Sequence, residues 1–468
     1  MNTGKRFGLF IGVGLLTLAL LSACGSPTTP IPATATIFYA HAAIFGSNSS
    51  SLLTTGYNGF GQLGNGNLNT ESVLASVVGL THVDKVATGG DHTLALVFSN
   101  HSSIYAWGSN YHGQLGNATV GGVAIPTTGS GAYSDTPVKI PLHGLVTDIS
   151  AGGFHSLAVV ADPATGIPTA YAWGYNGFGQ LGNQGLVDSS LPVQVQQAGQ
   201  NALGNITAVA AGGGHSLALD SDGFVYAWGD NAYGQVGTDP TAPLGAFATS
   251  ANQVQVITVT PPSKTSLTNI AQIAAGASTS YALTNDGTTV WAWGYNGMAQ
   301  LAMNPALTGN PFALPGQQVN LQVNSYNPVA VTIPLSLFSP TGLPAGTTIL
   351  KIAAGLDHVL ALLSNHTVMA WGFNNFGQVG NNNNSTTPFD NSRVFTPVLV
   401  LTGGSALVGS GTTMTGVTDI KAFGNSSMAR VNGVWYGWGD NSFGQLGNPV
   451  SATSIGFLLI PAIVQGFK

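Results

Sequence analysis

The stretch Trp107-Gly108-Ser109-Asn110-Tyr111-His112-Gly113-Gln114-Leu115-Gly116 decides the fold, because it recurs along the chain with small changes. The six further copies begin at Thr55, Trp173, Trp228, Trp293, Trp371 and Trp438. Two of them depart from the pattern: Ala299 and Ala302 replace two glycines in the copy that begins at Trp293, and Thr55 replaces the tryptophan in the first copy. Seven copies of one element predict a repeat architecture.

A second element precedes each copy, and its cleanest form is Ala210-Ala211-Gly212-Gly213-Gly214-His215-Ser216-Leu217-Ala218-Leu219. Its histidine recurs as His92, His155 and His358, and His41 matches it in the first unit. Thr279 and Ser427 stand at its place in two other units. None of these histidines has a close metal-ligand spacing such as His-x-x-x-His. We therefore expect no metal and a structural role, in which each ring bonds backbone groups within its own blade.

Each unit divides into four short strand-like segments. In the unit of His215 they are Pro192 to Val195, Ile206 to Ala210, Ser216 to Leu219 and Phe224 to Trp228. Four strands repeated seven times predict an all-β protein, a seven-bladed β-propeller of four-stranded blades. A tryptophan recurring once per blade is expected to pack between neighbouring blades, with its ring N–H bonded to a carbonyl. This set comprises Trp107, Trp173, Trp228, Trp293, Trp371 and Trp438.

The two ends of the chain predict how the ring closes. Ile460 to Val464 resembles the proline-bearing first strand of a unit, as at Pro137 to Ile140. The strand that should follow it is missing there, and Thr36 to Ala40 at the other end matches it. We therefore expect the N- and C-terminal strands to share one blade and close the ring, which leaves no open sheet edge around the circle.

The paired elements resemble the repeats of the regulator of chromosome condensation family. Their shared pattern is a histidine-bearing Ala-Gly-Gly strand, a Trp-Gly strand and then Gly-Gln-Leu-Gly, as in residues 210 to 237. The resemblance covers nearly the whole chain after residue 35. It implies a β-propeller over residues 36–468 that acts through protein–protein contacts.

The N-terminus has the layout of a secretory signal. Lys5 and Arg6 precede an apolar run from Phe7 to Leu21 that is short for a membrane span. Leu21-Ser22-Ala23-Cys24 resembles the lipobox of bacterial lipoproteins, and Cys24 is the only cysteine. The resemblance implies a signal peptide over residues 1–23, lipid attachment at Cys24 and a tether over 24–35. It places the protein in the bacterial cell envelope, anchored to a membrane.

Composition argues against several functions. Only 6% of the 468 residues are charged, the net charge is −6 and no basic run exists. We therefore expect no nucleic acid partner. Glu71 is the only glutamate, and no acid–base pair, serine nucleophile elbow or phosphate loop stands out. The chain is thus expected to be no enzyme and to need no cofactor.

Insertions concentrate between the Gly-Gln-Leu-Gly element and the next Ala-Gly-Gly strand. Insertions at one point of a repeat map to one face, where loops commonly carry binding. Their aromatic residues are candidate anchors for a partner: Tyr133, Phe312, Phe338 and Phe389. The insertions are equally compatible with length variation that the fold merely tolerates.

These observations favour an envelope-anchored, non-catalytic scaffold that binds an unknown protein partner through loops on one propeller face. Two alternatives stay open from the family resemblance. One is a regulator of a small GTPase that acts as a guanine-nucleotide exchange factor. The other is a secreted enzyme inhibitor of the β-lactamase-inhibitory propeller type.

Overall fold

The computed structural model contains seven antiparallel sheets arranged as the blades of a propeller. It describes residues 40–45, 51–99, 101–120, 123–124, 132–199, 201–237, 247–259, 262–302, 325–331, 344, 346–382, 393–403, 411–448 and 456–464. These residues form strands and turns with no helix, so they include no helix that could cross a membrane. The all-β, seven-bladed prediction is confirmed.

Blade 4 shows the plan of a blade. Its inner strand Ile206–Ala211 pairs with the histidine strand His215–Asp220, which pairs with the tryptophan strand Val225–Gly229. The outer strand Ala248–Gln253 completes the sheet. The histidine strand is wholly buried, because it lies inside the sheet and between neighbouring blades. Its apolar side chains on both faces therefore join cores shared with the two adjacent blades.

The other blades repeat this order of strands. Blade 1 has His41–Phe45, Leu52–Gly56 and Glu71–Ser76, three strands within the described part of the chain. The next two blades are Val83–Thr88, His92–Ser99, His101–Ser109 and Tyr133–Lys139, then Leu145–Ala151, His155–Ala161, Pro168–Gly174 and Ser189–Gln194. Blades 5 to 7 are Ile270–Ala275, Thr279–Thr284, Val290–Gly294 and Ser325–Val331; Ile349–Ala354, His358–Leu363, Val368–Phe373 and Arg393–Leu399; and Val417–Phe423, Ser426–Val431, Val434–Asp440 and Phe457–Ile463.

Short hairpins occupy some of the connections between these strands. They are Thr119–Val120 with Val123–Ala124, Gln255–Val259 with Pro262–Ser266, and Leu401–Thr402 with Thr412–Thr413.

The glycine that follows each motif tryptophan is required by the close approach of two strands. Gly229 has φ +99°, and a Cβ there would lie 2.6 Å from the Gly214 carbonyl oxygen and 2.8 Å from the His215 Cα. A larger residue would both strain the backbone and push the histidine strand away. The tryptophan strand can therefore end against the histidine strand only with glycine.

Ring closure differs from the sequence prediction. Phe457–Ile463 pairs with Val434–Asp440 as the outer strand of blade 7, whose inner strand Val417–Phe423 comes from the same part of the chain. The proline-bearing strand is therefore the last strand of a blade and not the first strand of the next. The physical reason is that proline cannot donate to a ladder and is tolerated at a sheet edge. Of the predicted N-terminal partner, residues 36–39 lie outside the described residues.

The ring closes by packing between blades 7 and 1. Ala42 and Ile44 share a buried cluster with Trp435 and Val464. Two hydrogen bonds cross the same seam: Lys421 Nζ donates to the Ala43 carbonyl at 3.0 Å, and Thr55 Oγ1 donates to the Gly444 carbonyl at 2.9 Å. Blade 7 therefore packs directly against the described strands of blade 1.

A backbone carbonyl joins most neighbouring blades. In the seam between blades 3 and 4, the Gln180 carbonyl accepts from Trp228 Nε1 at 2.8 Å and from Ser216 Oγ at 2.9 Å. A carbonyl has two lone pairs, so both are used. Equivalent tryptophan bonds reach the carbonyls of Gln62, Gln114, Gln235, Gln300 and Gln378.

The repeated histidines extend this cluster across the seam. His155 Nε2 lies 2.9 Å from Ser216 Oγ of the next blade. Because that hydroxyl donates to a carbonyl, it accepts from Nε2, which places the ring proton there. The partner is thus a hydroxyl of the following blade, and the expectation of backbone partners within the histidine's own blade is wrong. The other pairs are His41 with Thr93, His92 with Ser156, His215 with Ser280, and His358 with Ser427.

The two seams without a histidine also lack the hydroxyl. Thr279 replaces the histidine in blade 5, and Val359 then stands at the hydroxyl position of blade 6. In blade 7 the histidine position is Ser426, which pairs with Gly439, and blade 1 has Ala42 at the hydroxyl position. The sequence assignment of Ser427 to the histidine position is therefore wrong by one residue. Histidine and hydroxyl are present together or absent together.

This pairing predicts non-additive substitutions in the seam between blades 3 and 4. His155→Thr removes the donor to Ser216 Oγ, and Ser216→Val leaves the buried His155 Nε2 unpaired. Each single change should cost about 1–3 kcal/mol of unfolding free energy. The double variant reproduces the Thr279/Val359 pair. Its loss of unfolding free energy should therefore be smaller than the sum of the two single losses by on the order of 1 kcal/mol. Urea denaturation of the four proteins measures this coupling, and strictly additive losses would contradict it.

Candidate functional site

The residues singled out from the sequence fall in different places. The repeated histidines and tryptophans lie in the seams, fully buried. Tyr133 begins an outer strand opposite Ser109, and its side chain is exposed. Cys24, Phe312, Phe338 and Phe389 lie outside the described residues.

Burial makes these histidines unsuitable for proton transfer near neutral pH. It lowers the pKa of His92, His155, His215 and His358 to about 3, with neighbouring histidines adding to the effect at His92 and His215. These rings are therefore neutral at physiological pH. The described part of the chain contains no group of three or more His, Cys, Asp or Glu side chains that could hold a metal ion.

A different surface emerges at the ends of the tryptophan strands. We call it the motif face: the loops at 57–62, 109–114, 175–180, 230–235, 295–300, 373–378 and 440–445, with the turns before each histidine position. The opposite surface, the hairpin face, carries the turns between histidine and tryptophan strands, such as 221–224. Register places Gly229 opposite Ala248, so the connection between these two strands leaves and returns on the motif face.

Side-chain hydrogen bonds shape every motif loop. In blade 3, Asn176 Oδ1 accepts from the Leu181 N–H at 3.0 Å, and Gln180 Oε1 accepts from the Phe178 N–H at 2.9 Å. Both bonds recur in all seven loops. They fix the residue two positions before the glutamine at the tip of the loop. That residue is Phe60, His112, Phe178, Tyr233, Met298, Phe376 or Phe443.

The loop tips contact aromatic residues that follow the Trp-Gly pair. Between blades, ring centroids lie 4.6 Å apart for His112 and Tyr175, 4.9 Å for Tyr233 and Tyr295, and 5.3 Å for Phe443 and Tyr57. Within blades, the same contact joins Tyr57 to Phe60, Tyr175 to Phe178, and Phe373 to Phe376. We call this set the aromatic belt; every blade contributes to it. Its members are half-buried, except Phe178, which is exposed.

Sequence reasoning missed the aromatic belt although a signal was available. The loop-tip position, directly before the glycine of Gly-Gln in most copies, is aromatic or histidine in six copies and methionine in the copy that begins at Trp293. Attention to variable insertions led instead to residues such as Tyr133. The structure places Tyr133 on the same face, since it pairs with Ser109 at the end of a tryptophan strand.

Carboxyl groups accompany the rings at the inner rim of the motif face. Burial raises the pKa of Asp91 to about 7 and that of Asp357 to about 6, although a hydrogen bond from Gln300 Nε2 at 2.8 Å lowers the latter. Burial also raises the pKa of Asp230, which accepts from Gln235 Nε2 at 2.9 Å. Asp91 Oδ1 is buried and has no hydrogen-bond partner among the described residues.

These features define a class of protein: a seven-bladed β-propeller that holds a belt of aromatic side chains on one face by repeated loop hydrogen bonds. The chain belongs to the regulator of chromosome condensation family. The RCC1-like domain matches residues 28–325, and the regulator of chromosome condensation (RCC1) repeat matches residues 349–378.

Curated relatives share the propeller at modest identity. The ultraviolet-B receptor UVR8 of Arabidopsis thaliana is 25% identical over 345 residues, covering 73% of this chain and 64% of the receptor. The E3 ubiquitin-protein ligase HERC2 of Homo sapiens is 28% identical over 337 residues, covering 70% of this chain but 6% of the ligase. The chain therefore matches less than two thirds of either relative's length.

Solved structures share the fold. Yeast RCC1 (Prp20), in a structure with Kap60, superimposes with a TM-score of 0.64 at 21% identity, covering 92% of this chain and 85% of that chain. Human WBSCR16 gives a TM-score of 0.59 at 21% identity, covering 82% and 83%. This likeness concerns the fold alone.

The buried carboxyl group of Asp91 predicts a pH-dependent stability. Its folded pKa of about 7 lies above the value near 3.9 of an unfolded chain, so the folded state holds the proton more tightly. Ionisation therefore lowers the stability of the folded protein, and this loss grows as the pH rises from about 4 to about 7. Asp91→Asn should stabilise the protein at pH 8 by about 2 kcal/mol more than at pH 5.

Urea denaturation at the two pH values measures this difference. Asp222→Asn is the matched control, because Asp222 is exposed in a turn of the hairpin face. An equal effect of Asp91→Asn at both pH values would show that the carboxyl group ionises freely.

Proposed function

We propose that this chain is a non-catalytic scaffold that binds a protein partner through its motif face, held at a bacterial envelope membrane by lipid on Cys24. Proteins of this family are known for protein binding and for GTPase regulation. The proposal rests on the aromatic belt together with the lipobox-like N-terminus.

The aromatic belt is the observation that carries the binding role. Aromatic side chains dominate the energetics of protein interfaces because they bury a large area at a small cost in side-chain entropy. Here they sit on loops that hydrogen bonds hold in one conformation, as between Gln180 Oε1 and the Phe178 N–H. A preorganised surface loses less entropy on binding. Every blade contributes, so a partner could contact the whole circle.

The insertions extend this proposal. Several insertions lie between a tryptophan strand and an outer strand, and these strands meet at the motif face, as the pairing of Ser109 with Tyr133 illustrates. Tyr133 is thus a peripheral anchor, and Phe312 and Phe389 are proposed as further anchors because their segments join strands of the same kind. Phe338 differs, because its segment joins the outer strand Ser325–Val331 to the inner strand Ile349–Ala354, and the ends of these strands lie on the hairpin face. The alternatives of a GTPase exchange factor and a β-lactamase inhibitor rest only on family resemblance.

The envelope location rests on the sequence Leu21-Ser22-Ala23-Cys24. A diacylglyceryl group and an acylated amine on Cys24 would supply at least two acyl chains, which is what stable membrane anchoring requires. The partner would then be another protein of the cell envelope.

Aromatic substitutions on the motif face should abolish partner capture. Phe178→Ala with Tyr233→Ala removes two rings of the belt, and photo-crosslinking in envelope preparations should then yield about tenfold less of a crosslinked partner. Leu145→Ala with Ile167→Ala is the matched control, since it trims two exposed apolar side chains on the hairpin face. Melting temperatures of both variants confirm folding. Equal capture by both pairs would refute a binding role for the belt.

The anchor is tested by labelling with a palmitate analogue in a bacterial host. The wild-type protein should incorporate the label and Cys24→Ala should not, because the thiol is the attachment point. Label in both proteins, or in neither, would remove the anchor from the proposal while leaving the motif face untouched.

A further inference from the structure

Charge is distributed unequally between the two faces of the propeller. Glu71, Asp135, Asp188, Asp230 and Asp440 lie at the motif face, at or beside the start of an outer strand or directly after a Trp-Gly pair. Among the described residues, Arg393 is the one Lys or Arg side chain at that edge, opposite Phe373. In a chain with so few charges, this makes the face distinctly acidic.

The carboxylates alternate with the rings of the aromatic belt. Asp188 Oδ2 lies 2.8 Å from His112 Nδ1, and the same histidine ring packs on Tyr175. Phe178 and Asp230 flank Gly214 together: a Cβ there would lie 3.1 Å from the ring of Phe178 and 3.4 Å from the Asp230 Cβ.

The same alternation occurs between blades 1 and 2. The Asp135 backbone packs against Gly61, directly beside the Phe60 loop tip. A carboxylate next to an aromatic face is the environment in which a guanidinium group both stacks and forms paired hydrogen bonds.

Asp91 adds a buried carboxyl group at the same face. Asp91 is 8% exposed, and its Oδ1 has no hydrogen-bond partner in the part of the chain that the structure describes. It lies in the turn before His92, at the motif face, where its backbone carbonyl accepts from the Ser109 N–H at 2.8 Å. In blade 6 the residue at the same position, Asp357, has a donor in Gln300. The corresponding glutamine for Asp91 is Gln62, whose buried Nε2 also has no hydrogen-bond partner in the described part of the chain, so this seam holds a carboxyl group and an amide group that are both unpaired at the motif face.

We infer that the motif face binds an arginine-rich, extended segment of a partner protein. The inference rests on the proposed function and gives the chemistry of the partner. Arginine fits better than lysine because its planar guanidinium stacks on rings and meets a carboxylate through two parallel N–H donors, whereas an ammonium group is a strongly hydrated point charge.

Fluorescein-labelled octa-arginine and octa-lysine are the probes, and fluorescence anisotropy measures their dissociation constants. The test variant carries Asp135→Asn, Asp188→Asn and Asp440→Asn. Its matched control carries Asp162→Asn, Asp222→Asn and Asp286→Asn, which changes the net charge equally on the hairpin face. Asparagine keeps the acceptor oxygen that the turns of Asp162 and Asp286 use.

The wild-type protein should bind octa-arginine several-fold more tightly than octa-lysine. The motif-face variant should lose about tenfold in affinity for octa-arginine, and the hairpin-face control should stay within about twofold of wild type. Equal affinity for the two peptides, or equal losses in the two variants, would overturn the inference.

The outcome is separable from that of the proposed function. If octa-arginine fails this test while the Phe178→Ala and Tyr233→Ala pair still abolishes crosslinking, the motif face binds a partner of other chemistry. If the double substitution Phe178→Ala with Tyr233→Ala has no effect on crosslinking, the proposed function itself fails.

Discussion

The glutamine of each motif is the point on which the structure depends. In six of the seven seams its backbone carbonyl accepts the tryptophan N–H of the next blade, and in five of these it also accepts from a hydroxyl of that blade; Gln180 with Trp228 and Ser216 is one case. Its side chain meanwhile holds the aromatic loop tip, as Gln180 Oε1 holds the Phe178 N–H. One residue per blade therefore sets the spacing of the ring and the shape of the face. Loss of the hydrogen bonds across a seam would therefore also displace the loop tips of the motif face.

This coupling explains how a repeat fold can carry a varied surface. The buried groups of the seam are nearly invariant around the ring, because each must satisfy its neighbour's hydrogen bonds. The loop tips face outward and are free to differ, and they do: phenylalanine, histidine, tyrosine and methionine all occur there. Binding specificity can thus change at the tips and at adjacent carboxylates such as Asp188 without disturbing the ring. A rigid scaffold with variable loops is a common way to build recognition.

Much of the fold was predictable from the repeat, and the errors have physical causes. A periodic sequence has no marked starting point, so the strand at Pro192 was assigned to the wrong blade, and the closure involving Ile460 followed from that. His155 meets Ser216 from the next repeat, so inspection of a single repeat could not reveal the pair. The aromatic belt escaped notice because its residue types differ, while the glycines and tryptophans around it draw attention. The role of Tyr133 stays a prediction.

Exchange of the tryptophan indole protons tests the seam most directly. With 15N-labelled tryptophan, the account predicts that the Nε1 protons of the six seam residues exchange with solvent only as fast as the whole protein unfolds. Trp291, which is partly buried and outside the seam hydrogen bonds, should exchange much faster. Fast exchange at Trp107, Trp173 or Trp228 would contradict the account, because it would mean that the glutamine carbonyls do not hold the blades together.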